Sequence, residues 1–416
     1  MIFNSSQLED PPVKPRLLAG IQEEKSHKLK NYSREKNYPV AQKIITGDKY
    51  PGKLRADING LGLRERGNSR KLINWQKNSS GGYLVAAGGE FEPGSFGDRL
   101  LMEQNPHLLL EGIVLTAYAL KIKKCYIYLR AGYDKAYRRL KKALREATSA
   151  GWVGKNIFDT TIDCQVELIR GGDAFICNNE AAVLKSIEAR RPSPRADNKE
   201  QAKTIFERTA VVHNIETLAL IPFIFNNNSS WFKKWGTEEN PGFRLFCVSG
   251  AVNRPGVYEA PIDIDSKILI DQYCRGISSG GLKALFPGGI FLPYPTKDHT
   301  MTDLTAPEAG NIIVIPEGKC MVEISRLVAN FYARQACGCC AAGREGLGRL
   351  AESFNRSRGE KKLFHPPEKL EELCRTVENN ASCSRGKRAA RLIIKIMEGW
   401  RKEFNHHYHH KSCDLK

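Results

Sequence analysis

Three cysteines within four positions are the feature that most limits what this chain can be. Cys337, Cys339 and Cys340 stand at the junction of two predicted helices, and Cys383 follows further along the chain. Core packing gives cysteines no reason to cluster, so the pattern predicts a metal site, and the alternative is a chance group of buried or redox-inert thiols. Cys337 and Cys340 are in a C-x-x-C relation, which lets a turn point both thiolates at one centre, and Cys383 can close the site from a second helix. Soft thiolates without a nearby histidine favour an iron–sulfur cluster or zinc over magnesium or calcium.

Length and composition set the outer limits. A chain of 416 residues with 41% hydrophobic and 26% charged residues has room for two or three domains with ordinary cores. Twelve cysteines are too few for a disulfide scaffold, and no signal peptide opens the sequence, so we expect a cytoplasmic protein. The longest apolar run, 218–225, is interrupted by Pro222 and is too short to cross a membrane.

The net charge of +18 is spread along most of the chain. No recognised nucleic-acid module accompanies it, so we expect no nucleic-acid partner. Acidic partner subunits, an anionic membrane surface or plain solvated surface are the remaining explanations.

Hydrophobic periodicity divides the chain into regions. A polar arm with one short helix precedes residue 60. An α/β pattern then predicts a largely parallel sheet with a ligand crevice at the strand ends, from strands at 83–86, 125–129 and 166–169 and helices at 106–120, 137–147 and 179–189. Short segments among Gly and Pro turns predict a small mixed sheet, with later strands at 282–287 and 311–315. Bundle spacing predicts four helices in the last region, at 322–334, 344–354, 368–377 and 386–404.

The run FYARQACGCCAAGREG over residues 331–346 resembles the signature FYAxESCGxCxPCREG of the flavoprotein, NADH-binding subunit of respiratory complex I. In that family, three cysteines of this loop and one from a later helix bind a [4Fe-4S] cluster that takes electrons from FMN. The resemblance implies that Cys337, Cys340 and Cys383 are ligands.

The third ligand of the family pattern is Gly343 in this chain, and Cys339 is an extra thiol beside the gap. Three outcomes follow. Cys339 substitutes as the missing ligand, or the cluster is held by three ligands and is labile, or the cluster is absent.

The segment 62–75 resembles the family's glycine-rich flavin loop, GLRGRGGAGFPTGLKW, but is two residues shorter. A glycine lets the backbone approach a flavin closely, and the resemblance implies such a contact at Gly67. Glu65 stands at a glycine position, and Asn74 replaces the family's lysine before the tryptophan. The aromatic residue that stacks on the nicotinamide in the family is deleted.

The segment YLVAAGGEFEPGSFGDR, residues 83–99, resembles the family's YLVCNADEGEPGTFKDR. The resemblance implies cofactor contacts at Glu90 and Glu92, which are kept. Two polar flavin contacts of the family are replaced by Ala87 and Gly89, and a glycine of the family is replaced by Phe91.

Two further segments carry implied cofactor contacts. Residues 174–184 resemble AYICGEETALL and keep Glu180, and residues 213–218 resemble NNVETL and keep Asn214. The family's Pro-Phe-Pro clamp is not visible in 191–203. Residues 245–259 resemble the start of the family's soluble-ligand-binding β-grasp domain.

The expected fold is α/β: a parallel-sheet nucleotide-binding domain, a small β-grasp domain, and a C-terminal helical bundle that carries the iron–sulfur loop. The expected divisions are a polar arm, an FMN/NADH-binding-like domain, the β-grasp domain, the iron–sulfur domain and a tail, at 1–59, 60–242, 243–320, 321–405 and 406–416. The terminal histidines, His406, His407, His409 and His410, are interpreted as a solvated tail rather than a metal site.

Two functional hypotheses follow from the resemblance. In the first, the chain is the electron-input subunit of a complex I-like assembly and passes electrons from NADH through FMN to a [4Fe-4S] cluster. In the second, it is a cofactor-poor paralogue that acts as a scaffold or electron relay and does not oxidise NADH. In both, the implied partners are the thioredoxin-like subunit and the large iron–sulfur subunit, with attachment to the inner face of the membrane only through the complex.

Overall fold

The computed structural model describes residues 3–4, 14–32, 38–47, 49–66, 71–75, 81–193, 203–290, 310–355, 363–410 and 412–413. The implied flavin contact Gly67 and most of the 191–203 segment lie outside these residues. No helix in the described part of the chain is long and apolar enough to cross a bilayer.

The N-terminal region packs against the body of the protein. It contains β1 (Phe3–Asn4), α1 (Leu29–Tyr32), α2 (Pro39–Ile45) and α3 (Pro51–Leu61). Leu17, Leu18 and Tyr38 are fully buried. The backbone N–H groups of Arg16 and Leu18 donate to the carboxylate of Glu259, at 2.8 and 3.2 Å. The prediction of an extended polar arm is therefore wrong for the described part of this region, because its apolar residues join the main core and the N–H groups of Arg16 and Leu18 bind Glu259.

The first sheet is the predicted parallel one. Its order is β4-β3-β2-β6-β5, and only the short β5 is antiparallel to its neighbour. The elements of this region are β2 (Tyr83–Gly88), α4 (Gly97–Gln104), α5 (Pro106–Leu120), β3 (Lys124–Leu129), α6 (Asp134–Ser149), β4 (Gln165–Arg170), α7 (Glu180–Ile187), β5 (Thr204–Ile205), β6 (Arg208–Asn214), α8 (Ile215–Asn227) and α9 (Ser229–Phe232).

Helices α5 and α8 form the centre of the main core. Almost every residue of α5 is buried. A Cβ at Gly112 would lie 1.9 Å from the carbonyl oxygen of Leu218, so the two helices approach closely only because residue 112 has no side chain. This packing fixes the N-terminus of α8 at the edge where β2 and β6 end.

The second sheet is small and mixed, as predicted. Its order is β1-β8-β7-β10-β9, with β7 antiparallel to β8 and parallel to β10. The elements are β7 (Phe243–Gly250), β8 (Gly256–Pro261), α10 (Ser266–Ile268), β9 (Leu282–Pro287) and β10 (Asn311–Pro316).

The C-terminal region is helical, and the first three predicted helices are present. The prediction of one helix over 386–404 is wrong, because the backbone leaves the helical conformation at Trp400 and two helices result. The helices are α11 (Met321–Arg334), α12 (Leu347–Asn355), α13 (Pro367–Asn380), α14 (Ser384–Gly399) and α15 (Arg401–His409). The interpretation of the terminal histidines as a solvated tail is wrong for His407, which lies within α15 and is 4% exposed.

Candidate functional site

The predicted flavin crevice lies where β2 and β6 end side by side, with Ala87 opposite Asn214. Glu90, Glu92 and Asn214 line one cavity of about 110 Å³ there. Asp98 and Arg244 are among the other lining residues. The structure therefore brings three of the implied cofactor contacts together at the carboxyl edge of the parallel sheet.

Glu65, in the loop that resembles the family's flavin loop, lies at the same edge of the sheet beside Asn214. On the described sides of this loop, Glu65 N–H donates to the Lys71 carbonyl at 2.9 Å. The Glu65 carboxylate is 3% exposed and accepts hydrogen bonds from the backbone N–H of Asn214 at 2.8 Å and from His213 Nδ1 at 2.7 Å. Because His213 Nε2 accepts from the indole N–H of Trp75 at 3.0 Å, its proton lies on Nδ1, facing Glu65.

Burial raises the pKa of the Glu65 carboxyl, but the neighbouring His213 and Lys71 outweigh burial and hold the pKa at about 2. Glu65 is thus a permanent anion at the N-terminus of α8. Helix N-termini attract anions through free N–H groups and the helix dipole.

Lys71 connects Glu65 to Glu180. Its ammonium donates to Glu180 Oε1 and to the Val212 carbonyl, both at 2.7 Å, and lies 3.5 Å from Glu65 Oε2. Lys203 pairs with the other oxygen of Glu180. Burial lowers the pKa of Lys71, yet the carboxylates of Glu65 and Glu180 raise it above its usual value. Glu180 is therefore held by two lysines of the chain itself.

Asn214 and Glu90 also have hydrogen-bond partners within the chain. Asn214 caps α8 through Oδ1, which accepts from Glu216 N–H at 2.8 Å, and its amide nitrogen donates to Asp98 at 2.5 Å. Glu90 accepts from the Ser95 hydroxyl and from Arg99 N–H, both at 2.9 Å. Burial raises the pKa of Glu90, and it raises that of Asp98 with a further contribution from Glu90.

The cavity that the described residues form at this edge is small, about 110 Å³. Cofactor sites usually have volumes of roughly 300–1,000 Å³, far above this cavity. A Cβ at Gly89 would lie 2.4 Å from the Phe91 ring, so the aromatic side chain occupies space beside the strand end. The anion position at the N-terminus of α8 is taken by Glu65 rather than left for a phosphate.

The cysteine loop lies between α11 and α12, as predicted. Cys340 Sγ accepts from Gly343 N–H at 3.3 Å. Burial raises the pKa of the Cys340 thiol, but hydrogen bonds from Ser382 and Gly343 prevail and lower it. Because Ser382 precedes Cys383, the loop and the start of α14 meet here.

Arg385 adds positive charge to this place. It interacts electrostatically with Cys383 and Cys337, and burial lowers its pKa. Its Nε is buried and has no hydrogen-bond partner among the described residues. A thiolate-held iron–sulfur cluster is an anion, so the thiols and this guanidinium fit such a group.

Gly343, which stands where the family pattern has its third ligand, lies close to Cys340. A Cβ at Gly343 would lie 3.2 Å from Cys340 Sγ, so a side chain there would be in contact with that thiol. Cys339 is exposed, and its Sγ lies 3.8 Å from the Cys337 carbonyl oxygen.

Sequence reasoning missed the roles of Glu65, Lys71 and Lys203. The signal in the sequence was a charged residue, Glu65, at a position where the family pattern has a glycine. Sequence reasoning noted Glu65 only as a departure, because its partners His213 and Asn214 lie about 150 residues away along the chain.

Comparison with known proteins gives concordant results. Residues 54–223 match the family described as the Nuo51 FMN-binding domain, and residues 323–407 match the NADH-ubiquinone oxidoreductase-F iron-sulfur binding region. The chain is 31% identical to the second F-type protein of NADH-quinone oxidoreductase in Rhizobium meliloti, over 96% of this chain and 99% of that protein. It is 33% identical to the F-type protein of NADH-quinone oxidoreductase in Streptomyces coelicolor, over 96% of this chain and 92% of that protein.

A solved structure has the same fold. A chain of the NAD⁺-reducing [NiFe]-hydrogenase in the H2-reduced state superposes with a TM-score of 0.77 at 24% identity. The match covers 88% of this chain and 64% of the hydrogenase chain.

Proposed function

Because the chain belongs to the family of F-type subunits of NADH-quinone oxidoreductase, we propose that it serves a complex I-type assembly as a member with a closed flavin crevice and a retained iron–sulfur region. It carries the FMN-binding domain and the 4Fe-4S binding region of that family. In this proposal it relays electrons or supports its partner subunits and does not accept hydride from NADH.

The observation that carries the proposal is the position of Glu65. Its carboxylate receives the Asn214 N–H at the N-terminus of α8, where a phosphate group would otherwise find its best binding place. A second anion brought to this point would meet a buried, ionised carboxylate. Electrostatic repulsion and the small cavity both oppose the binding of a flavin phosphate.

The iron–sulfur region keeps its chemical character. Cys337, Cys340 and Cys383 would hold a [4Fe-4S] cluster, and Cys339 is the further thiol of the loop. When bound, such a cluster accepts and releases single electrons. The chain's own contribution is to supply these thiols from the loop and from the start of α14, and to place the Arg385 charge near Cys383 and Cys337.

The partners in this proposal are the other subunits of the peripheral arm, of the thioredoxin-like and large iron–sulfur types. The net charge of +18 suits acidic partner surfaces. The chain would then lie on the cytoplasmic side, at the inner face of the membrane through its complex.

A second candidate function is the complete one, in which NADH reduces FMN and FMN reduces the cluster. The retained acids Glu90 and Glu92 at the crevice favour it. The match of residues 54–223 to an FMN-binding domain favours it as well.

The experiment that separates the two candidates is the ultraviolet–visible spectrum of anaerobically purified protein before and after addition of NADH. We expect a broad iron–sulfur absorption, no flavin bands, and no bleaching by NADH. Flavin bands that bleach with NADH would overturn the proposal in favour of the second candidate. A Glu65→Gly variant, which restores the family's residue, tests the cause: we expect it to take up more added FMN than the wild type does.

A further inference from the structure

A second group of metal-ligand side chains lies at the other end of α11 from the cysteine loop. Cys320 immediately precedes α11, His407 lies in α15, and Cys413 follows α15. Their ligand atoms all lie within 4.8 Å of one another. Helix α11 has 14 residues, or about 21 Å at 1.5 Å per residue, so this group is separate from the loop around Cys340.

We propose that Cys320, His407 and Cys413 form a zinc site with three protein ligands. The three residues come from three separate segments of the chain and converge on one point, which packing alone does not require. Two sulfurs and one imidazole nitrogen are soft or borderline donors, and they select zinc over magnesium or calcium. Cys₂His donor sets are among the known zinc ligand sets.

The distance between Cys320 Sγ and His407 Nε2 is close to that of tetrahedral coordination, and the other two ligand distances are within 4.8 Å. Zinc–sulfur bonds of about 2.3 Å and zinc–nitrogen bonds of about 2.0–2.1 Å place two sulfurs about 3.8 Å apart, and a sulfur and a nitrogen about 3.6 Å apart. Cys320 Sγ lies 3.3 Å from His407 Nε2. Small side-chain rotations would therefore bring all three atoms to bonding distance of one ion.

The backbone around the site is already held in place. The carboxylate of Glu403, one turn before His407 on α15, accepts from Met321 N–H and from the Lys283 ammonium, both at 2.7 Å. Leu363 N–H donates to the His407 carbonyl at 3.2 Å. These contacts fix α15 against the start of α11, so binding an ion would cost little ordering entropy.

The site has one open side. His407 is buried, while Cys320 and Cys413 are partly exposed. A fourth ligand, a water molecule in the isolated chain, would approach from that side. The ion would tie the residues after α15 to the N-terminus of α11 and so stabilise the helical region.

The test is the zinc and iron content of the full-length chain, measured by inductively coupled plasma mass spectrometry after incubation with zinc salt and extensive dialysis. We expect one zinc per wild-type chain. Cys413→Ser should lose this zinc and keep the iron content of the wild type. Cys374→Ser, which alters a buried cysteine of α13, is the matched control and should keep the zinc.

Zinc at the cysteine loop would mimic this result, and Cys340→Ser separates the two places. Zinc that persists in Cys340→Ser and disappears in Cys413→Ser supports the proposal. The opposite pattern overturns it, and so does a wild-type chain without tightly held zinc. A Cys320–Cys413 disulfide in anaerobically prepared protein, detected by non-reducing peptide mass spectrometry, would also overturn it. Because Cys413 lies beyond the last helix, we expect its variant to fold, which circular dichroism would check.

Discussion

The carboxylate of Glu65 accepts a 2.8 Å hydrogen bond from the backbone N–H of Asn214, a residue 149 positions further along the chain. This bond places a fixed negative charge at the N-terminus of α8. The surrounding groups, His213 and Lys71, compensate that charge inside the protein. The negative charge at this helix end is thus supplied by the chain itself.

The first prediction concerns the pH dependence that Glu65 gives to stability. Its pKa is about 2 in the folded chain against an ordinary value of 4.5, so between these values the unfolded chain binds more protons. The stabilisation is therefore complete above about pH 4.5 and is lost as the pH falls towards 2, and it amounts to about 3 kcal/mol. Urea unfolding of Glu65→Gln should show a stability deficit at pH 7 that narrows as the pH falls to about 3.

The control for this experiment is Glu238→Gln, because Glu238 is exposed. Its stability curve should follow that of the wild type at every pH. A deficit of Glu65→Gln that stays constant with pH would contradict the assignment of Glu65 as a buried anion.

The second prediction concerns Lys71, which lies between the carboxylates of Glu65 and Glu180. Lys71→Met should lower the free energy of unfolding by about 3 kcal/mol, because it leaves buried negative charge uncompensated. The side chain of Lys203, the second lysine that pairs with Glu180, is 38% exposed. Lys203→Met should therefore lower the free energy of unfolding by about 1 kcal/mol or less. Equal losses in the two variants would show that the network through Lys71 does not hold the crevice closed.

The sequence alone was enough to predict several of the regular elements and the position of the cysteine loop between two helices. Apolar periodicity marks strands and helices locally, so α5, β3 and α11 could be located without tertiary information. The place of the loop between two helices was predictable from the sequence, but among the described residues the structure does not bring the sulfurs of Cys337, Cys340 and Cys383 within 4.8 Å of one another.

Features that depend on distant partners could not be predicted in this way. Leu17 and Leu18 are isolated apolar residues in a charged segment, and only the N–H acceptor Glu259 reveals why that segment packs. His407 belongs to a histidine-rich run that is typical of a solvated tail. Its burial depends on how α15 packs against the other helices of the C-terminal region. Glu65 has no local signal at all beyond being a charge in a loop.

The third prediction concerns Glu259, whose pH dependence has the opposite sign. Burial raises the pKa of its carboxyl to about 7, although hydrogen bonds from Arg16 and Leu18 N–H lower it. In this case the folded chain binds more protons, so the stabilisation is complete below about pH 4.5 and is lost as the pH rises through 7. Glu259→Gln is neutral and still accepts hydrogen bonds. At pH 8 its free energy of unfolding should exceed that of the wild type by about 3 kcal/mol or less, and this difference should disappear near pH 4.5. A variant that is less stable at pH 8 would contradict this reasoning.

The fourth prediction concerns the ligand gap at Gly343. Cys339 is the additional thiol of the loop, and rotation of its exposed side chain is less hindered than that of a buried one. If Cys339 supplies the fourth ligand, Cys339→Ala should lower the iron content per chain and increase the rate of cluster loss in air. Gly343→Cys in the Cys339→Ala background should restore both, because a Cβ at residue 343 lies 3.2 Å from Cys340 Sγ. Cys274→Ala, which alters a buried cysteine between β8 and β9, is the matched control and should leave iron unchanged. An unchanged iron content in Cys339→Ala would instead mean that three cysteines hold the cluster, since thiolate ligands are what keep iron–sulfur clusters in place.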